Sequence, residues 1–249
     1  MIEVKNISKS FFGNSVLKNV SASFERGKTN LIIGRSGSGK TVLLKCIIGL
    51  HEIDEGEIAY DNRNFTNMNF KERKIVRREI GMMFQGGALF DSYNVEENII
   101  FPLTMFTKMT KEEKRDRANF CLSKVNLENV NKLYPSEISG VMKKRVAIAR
   151  AIALSPKYLF CDEPNSGLDP MTSIIIDELI KELTIEFGIT TIVNTHDMNS
   201  VMGIGDKIIF IHEGLNEWEG SREDILHTDN PELNNFVFAS KLLKKIVKN

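Results

Sequence analysis

The chain has 249 residues, room for one large domain or two small ones, and is 42% hydrophobic and 27% charged, the make-up of an ordinary globular protein. Its 33 basic residues balance 33 acidic ones, which excludes a broad electrostatic footprint for nucleic acid, though not a local one. The start, Met1-Ile2-Glu3-Val4-Lys5, lacks the apolar core of a signal peptide, and no run reaches the roughly 20 apolar residues needed to span a bilayer.

In chain order, short strands are predicted over residues 2–8, 16–24 and 57–60. The turn signals Gly13-Asn14, Arg26-Gly27 and Asp54-Glu55-Gly56 bound them, and they predict a small antiparallel layer. Residues 29–33 read as a further strand and 41–50 as a helix that stops near Gly49. Residues 80–84 predict a buried strand running into Gln85-Gly86-Gly87. From about 90 to 155 the character is helical. Residues 111–127 place Ala118, Cys121, Leu122 and Val125 at helix spacing, and 142–154 starts basic and turns apolar. Strands over 158–161, 189–194 and 207–211 follow, with a helix over 171–187 between the first two. This alternation predicts an α/β fold with a mostly parallel sheet and helices on both faces. Residues 230–249 form a tail ending in the amphipathic Lys241-Leu242-Leu243-Lys244-Lys245-Ile246-Val247, read as a helix on its own domain rather than on lipid. Cys46, Cys121 and Cys161 sit among apolar residues without metal-like spacing, as core residues of a reduced compartment do.

The chemistry begins at Gly34-Arg35-Ser36-Gly37-Ser38-Gly39-Lys40-Thr41, a phosphate-loop pattern between a predicted strand and a predicted helix. The helix N-terminus offers unpaired N–H groups to phosphate. Lys40 supplies charge at the terminal phosphates and the Thr41 hydroxyl suits Mg²⁺, so the pattern predicts binding of ATP or GTP. Asp162-Glu163 ends an apolar strand, where ligands of parallel sheets bind. Asp162 is expected to face the Mg²⁺ and Glu163 to polarise the attacking water; the alternative is a pair capping the helix that Pro164 would start. Gln85, also at a strand end, is a candidate for Mg²⁺ or water contact, or else a plain turn residue. His196 follows another strand and is a candidate partner of the γ-phosphate, or else a structural histidine.

Taken together, the phosphate loop, Gln85, a Ser-Gly pair opening a basic helix, Asp162-Glu163, Ser166-Gly167-Leu168-Asp169-Pro170 and His196 resemble the nucleotide-binding subunit of an ABC transporter, in the family order over roughly residues 1–220. The resemblance implies an Mg-dependent, transport-coupled ATPase with ATP and Mg²⁺ as ligands. It implies a P-loop fold of ABC type: a nucleotide-binding core with antiparallel layer (1–88 and 156–220), a helical lobe with the signature helix (89–155) and a C-terminal tail (221–249), all one ATPase domain. By position, Phe11 is the aromatic that stacks on adenine, with Phe12 the neighbouring candidate. Gly34, Ser36, Gly37, Ser38, Gly39, Lys40 and Thr41 hold the phosphates. Thr41, Gln85 and Asp162 serve the metal. By the same resemblance Glu163 is similar to the catalytic glutamate, His196 to the switch histidine, and Asp169 to the loop aspartate that crosses the dimer interface. Ser139 and Gly140 face the partner's γ-phosphate. The implied partners are a second copy, packed head to tail with nucleotide between, and an integral membrane permease. The implied place is the cytoplasmic face of the inner membrane, as a peripheral subunit.

Two departures stand out. The family's Leu-Ser-Gly-Gly-Gln is Ile138-Ser139-Gly140-Val141-Met142 here, and Asn165 stands where threonine is frequent. A branched Val141 near the nucleotide is expected to slow turnover or shift the partner's loop. Ser-Gly-x-Met followed by Lys143-Lys144-Arg145-Val146 resembles the Mla-type, MCE-associated subgroup that moves phospholipid, which would add an MCE-domain partner. Residues 89–103, Trp218-Glu219-Gly220 and Asp229-Asn230-Pro231 fit the same subgroup. Amino-acid import, lipoprotein release, cell division or a non-transport nucleotide sensor are the alternatives. Leu89, Phe90, Tyr93, Phe101, Leu103 and Phe106 are expected partly to pack inside and partly to line a groove for a permease helix.

Overall fold

The structure, a computed structural model, describes residues 1–238. The amphipathic end of the tail lies outside the described residues. Strands β1 (Ile2–Phe11), β2 (Asn14–Phe24), β4 (Glu55–Tyr60) and β5 (Arg63–Asn64) pair antiparallel in the order β2-β1-β4-β5. A second sheet runs β10-β9-β3-β8-β7-β6, with β3 (Thr29–Ile33), β6 (Ile80–Met83), β7 (Tyr158–Asp162), β8 (Thr190–Thr195), β9 (Lys207–His212) and β10 (Leu215–Gly220). Its pairings are parallel except β9 with β10. The described helices are α1 (Lys40–Ile47), α2 (Phe70–Arg78), α3 (Val95–Phe106), α4 (Lys111–Lys124), α5 (Gly140–Ile152), α6 (Pro170–Phe187), α7 (Met198–Ile204) and α8 (Pro231–Val237). This is the expected α/β P-loop architecture with its antiparallel layer and helical lobe.

Side chains alternate across a strand, and the large sheet sorts its core accordingly. Leu31, Ile33, Leu159, Cys161, Val193, Ile208 and Phe210 pack with α3 to α8. Ile32, Tyr158, Phe160, Ile192, Ile209 and Ile211 pack with α1 and the antiparallel layer. So the second face is only partly helical: β1, β2 and β4 cover what a further helix would cover in an all-helical arrangement. The three cysteines are free and buried, as expected.

Four elements differ from the sequence reading, one of them the two-residue strand β5. Helix α2 was not predicted, because it buries only Val76 and shows no apolar stripe; its signal is the reciprocal cap of Asn69 with Glu72. Helix α7 is too short to show a period. Strand β10 is a polar edge strand joined to β9 by Glu213-Gly214, both at positive φ (48° and 81°), the two-residue hairpin turn that suits strand twist. That turn reaches the phosphate loop. The Gly214 N–H donates to the Ser38 carbonyl (3.1 Å), and the Lys18 N–H donates to the Gly214 carbonyl (2.8 Å). A Cβ at Gly214 would lie 2.3 Å from the Val16 carbonyl oxygen, so only glycine fits.

Candidate active site

The loop between β3 and α1 folds over its own lysine. Lys40, a residue 6% exposed, donates through its ammonium to the carbonyls of Gly34 and Arg35 at 2.9 Å each. Burial pulls its pKa below the usual lysine value, a shift that the charges of Glu163 and Asp162 offset only in part. Gly34 has φ 147°, and a Cβ there would meet the Ile211 carbonyl oxygen at 2.2 Å, so the loop passes β9 at a distance no other residue allows.

Register then brings the acids to the loop. Asp162 on β7 is paired with Asn194 on β8. Both have the parity of Phe160 and Ile192, so both face α1. The Thr41 hydroxyl lies 3.3 Å from Asp162 Oδ1. Asn194 Nδ2 donates to the same oxygen (2.6 Å) and to Thr41 Oγ1 (3.0 Å). Glu163 sits at φ 48°, a conformation that costs a non-glycine residue of order 1–3 kcal/mol. Its N–H donates to the Asn194 carbonyl (2.9 Å), and its carboxylate faces His196 Nδ1 at 2.8 and 3.0 Å. With Nδ1 engaged, the imidazole nitrogen left for a phosphate is Nε2.

A cleft of about 430 Å³ gathers Ser36, Gly37, Gly39, Lys40, Thr41, Gln85, Glu163 and His196, together with Val16, Val42 and Ser166. Val16, Val42 and Asn194 were not anticipated, and Ser166 is legible in the sequence only as part of the Ser166-Gly167-Leu168-Asp169-Pro170 motif. Val16 is brought in by the β1–β2 layer, which no sequence period reports. Asn194 has a readable parity, but the strand order that seats it beside Asp162 does not follow from sequence.

Four predicted residues lie elsewhere. Phe11 packs edge-on against His51 (5.2 Å between centroids) with Lys9 over its ring, and Phe12 stands fully in solvent. Ser139 and Gly140 are exposed at the start of α5, where Ser139 Oγ accepts from the Met142 N–H (3.3 Å). Asp169 caps α6, accepting from the Thr172 N–H (3.1 Å) and hydroxyl. Val141 lies in the first turn of α5, half-buried against the helical-lobe core. It does not take a positive φ. Asn165 ties α6 to α7, donating to Asp177 Oδ1 (2.8 Å) and Ser200 Oγ (3.0 Å). Gln85 is followed by Gly86, Gly87 and Ala88, all at positive φ. Arg150 of α5 fastens this turn through the carbonyls of Gly87 (2.7 Å) and Ala88 (2.9 Å).

The site fits a magnesium nucleotide. Ser38 Oγ is buried and has no partner among the described residues, a group left for a ligand to satisfy. Among the described residues no group of three or more His, Cys, Asp or Glu could hold a metal ion. One hydroxyl and one carboxylate with the rest from phosphate and water is the usual arrangement for Mg²⁺.

Comparison with known proteins decides the family. The ABC transporter model matches residues 17–166. The chain belongs to the ABC transporter family. The methionine import ATP-binding protein MetN of Campylobacter jejuni is 37% identical, over 98% of this chain and 77% of its own length. The probable ribonucleotide transport ATP-binding protein mkl of Mycobacterium leprae is 36% identical, over 97% and 70%. The dimeric cassette MJ0796 in a post-hydrolysis state with ADP and Pi superposes with a TM-score of 0.81 at 36% identity, covering 89% of this chain and 99% of its own. This chain is thus an ATP-binding and ATP-hydrolysing transporter subunit that works with Mg²⁺. Among the described residues no helix is long and apolar enough to cross a membrane.

The assignment to the Mla-type phospholipid subgroup is corrected by these relatives, which are named for methionine import and ribonucleotide transport. The phospholipid function and the MCE-domain partner fall with it. The physical reason lies in the motif: Val141 and Met142 belong to the packing of α5 on its lobe, and that packing carries no information about the cargo.

Proposed function

We propose that this chain is the ATPase subunit of an importer for a small solute, with an amino acid such as methionine the first candidate. The relatives named for methionine import, 37–38% identical over 96–98% of the chain, carry this reading. Residues 1–88 and 156–220 act as the nucleotide-binding core and 89–155 as the helical lobe of one ATPase domain. Two copies pack head to tail. The cleft of one then receives Ser139, Gly140 and Asp169 of the other, which explains why these groups are exposed and remote from their own cleft.

In this reading the phosphate loop holds the triphosphate through backbone N–H groups and Lys40. Bound at Thr41 and Asp162, with Gln85 nearby, Mg²⁺ would neutralise charge developing on the phosphates. Glu163 accepts the proton of a water whose oxygen bonds to the γ-phosphorus as the bond to the β,γ-bridging oxygen breaks. His196 holds the Glu163 carboxylate and presents Nε2 to the departing phosphate. Phe11 serves the adenine after leaving His51.

The permease docks on the helical lobe and thereby keeps the subunit at the cytoplasmic face of the membrane. Phe90, Tyr93 and Phe101 form a cluster with centroids 4.8–6.1 Å apart, and Phe90, Tyr93, Met105 and Phe106 are exposed. This surface suits a short apolar helix. Leu103 is wholly buried and takes no part. The test is uptake of radiolabelled methionine by cells whose chromosomal copy carries Glu163→Gln. Uptake should fall to the level of a deletion. Normal uptake would remove methionine as cargo, and other amino acids would be tested in the same cells.

A further inference from the structure

Asn194 is an unusual residue for its place. It is wholly buried in β8, after Ile192 and Val193, and among the described residues its Oδ1 has no hydrogen-bond partner. An apolar side chain would fill the same space without leaving an acceptor unsatisfied. What the amide supplies is a pair of N–H donors, and both are used: one on Asp162 Oδ1 (2.6 Å), the other on Thr41 Oγ1 (3.0 Å). The reverse orientation would set oxygen against carboxylate oxygen, so the chemistry fixes which end faces the acid. Through its carbonyl the same residue also holds the Glu163 N–H (2.9 Å).

Consider the Thr41 hydroxyl, which has one proton and two lone pairs. Its proton points to Asp162 Oδ1 (3.3 Å) and one lone pair accepts from Asn194. A single lone pair remains. The hydroxyl is therefore oriented before any cation arrives, and Asp162 has Oδ1 held while Oδ2 has no partner among the described residues. Partners of this kind, which orient a ligand without touching the metal, set metal affinity.

We propose that Asn194 is a positioning residue for the magnesium site, a third member of a Thr41–Asp162–Asn194 triangle that presets the cation's two protein contacts. The proposal rests on the assignment of Thr41 and Asp162 to the cation. Its effect is on how much Mg²⁺ the site needs, and not on how well the phosphate loop holds nucleotide.

The test is equilibrium binding of a fluorescent ATP analogue to the full-length protein, in EDTA and at rising free Mg²⁺, with thermal unfolding measured alongside. Asn194→Val should raise the Mg²⁺ concentration at half effect by about tenfold or more. It should leave affinity in EDTA unchanged and the melting temperature no lower. Asn194→Ser, with a hydroxyl too short to bridge both partners, should show the same shift and serves if the valine variant does not fold. Unchanged Mg²⁺ dependence in Asn194→Val or Asn194→Ser, while Asp162→Asn and Thr41→Ala shift it, overturns the role of Asn194 and leaves the site standing. A lowered melting temperature with unchanged Mg²⁺ dependence would likewise reduce Asn194 to a packing residue. If Asp162→Asn and Thr41→Ala also leave the Mg²⁺ dependence unchanged, the assignment of the site itself is overturned, and this proposal with it.

Discussion

At the carboxyl ends of β3, β7 and β8 the functional side chains are already tied together. Lys40 lies on two loop carbonyls, Thr41 and Asp162 on Asn194, and Glu163 on His196. At the start of α5 and at Asp169 the groups proposed to meet a second copy stand in solvent, bonded among the described residues only to their own helices. The first region is preorganised for binding nucleotide within one chain. The second has a helix N-terminus directed at no other group among the described residues, which makes sense when a second copy brings the phosphate to it. Binding should therefore be a property of one chain and hydrolysis a property of two.

Glu163→Gln presses hardest on the first region. Hydrolysis should fall by about 10²–10⁴-fold, the range for a lost general base, while nucleotide affinity is kept; a phosphate-release assay beside equilibrium binding checks both. Next comes the loop that joins the regions, anchored by Asn165 on Asp177. Burial raises the Asp177 pKa from 3.8 to about 6. Its contribution to stability is complete below the unfolded value and is lost as pH rises through about 6. Asp177→Asn should flatten the stability profile between about pH 4 and 6. Denaturant unfolding at about pH 8 should show a gain of up to about 3 kcal/mol. Lys40→Ala should weaken ATP binding by about 10–100-fold, the loss of charge-assisted hydrogen bonds; titration calorimetry reads it. Ser139→Ala should act most mildly, slowing turnover about tenfold through the lost cap and phosphate contact. It should leave binding by the single chain untouched, and an equal loss of binding would erase the distinction between the regions.

Much of the first region was legible in the sequence. The phosphate loop, Asp162-Glu163, Gln85 and His196 each follow a predicted strand, and parallel strands collect their ends on one side. Asn194 was not legible, because its role depends on β8 lying between β3 and β7, a long-range pairing without a local pattern. Val16 enters through the β1–β2 layer for the same reason. Strand β10 was missed because an edge strand of Asn, Glu and Trp carries no apolar run, although Glu213-Gly214 marks its turn. The signature departure was visible but misread. Val141 is half-buried in the packing of α5, and helix packing does not reveal what a permease carries.

Light scattering of the Glu163→Gln protein with and without ATP and Mg²⁺ tests the central claim most directly. The mass should double when ATP is added, and adding Ser139→Arg to the same chain should abolish the doubling with ATP still bound. A protein that stays single at saturating ATP, while the wild type hydrolyses at a rate strictly proportional to its concentration, would contradict it.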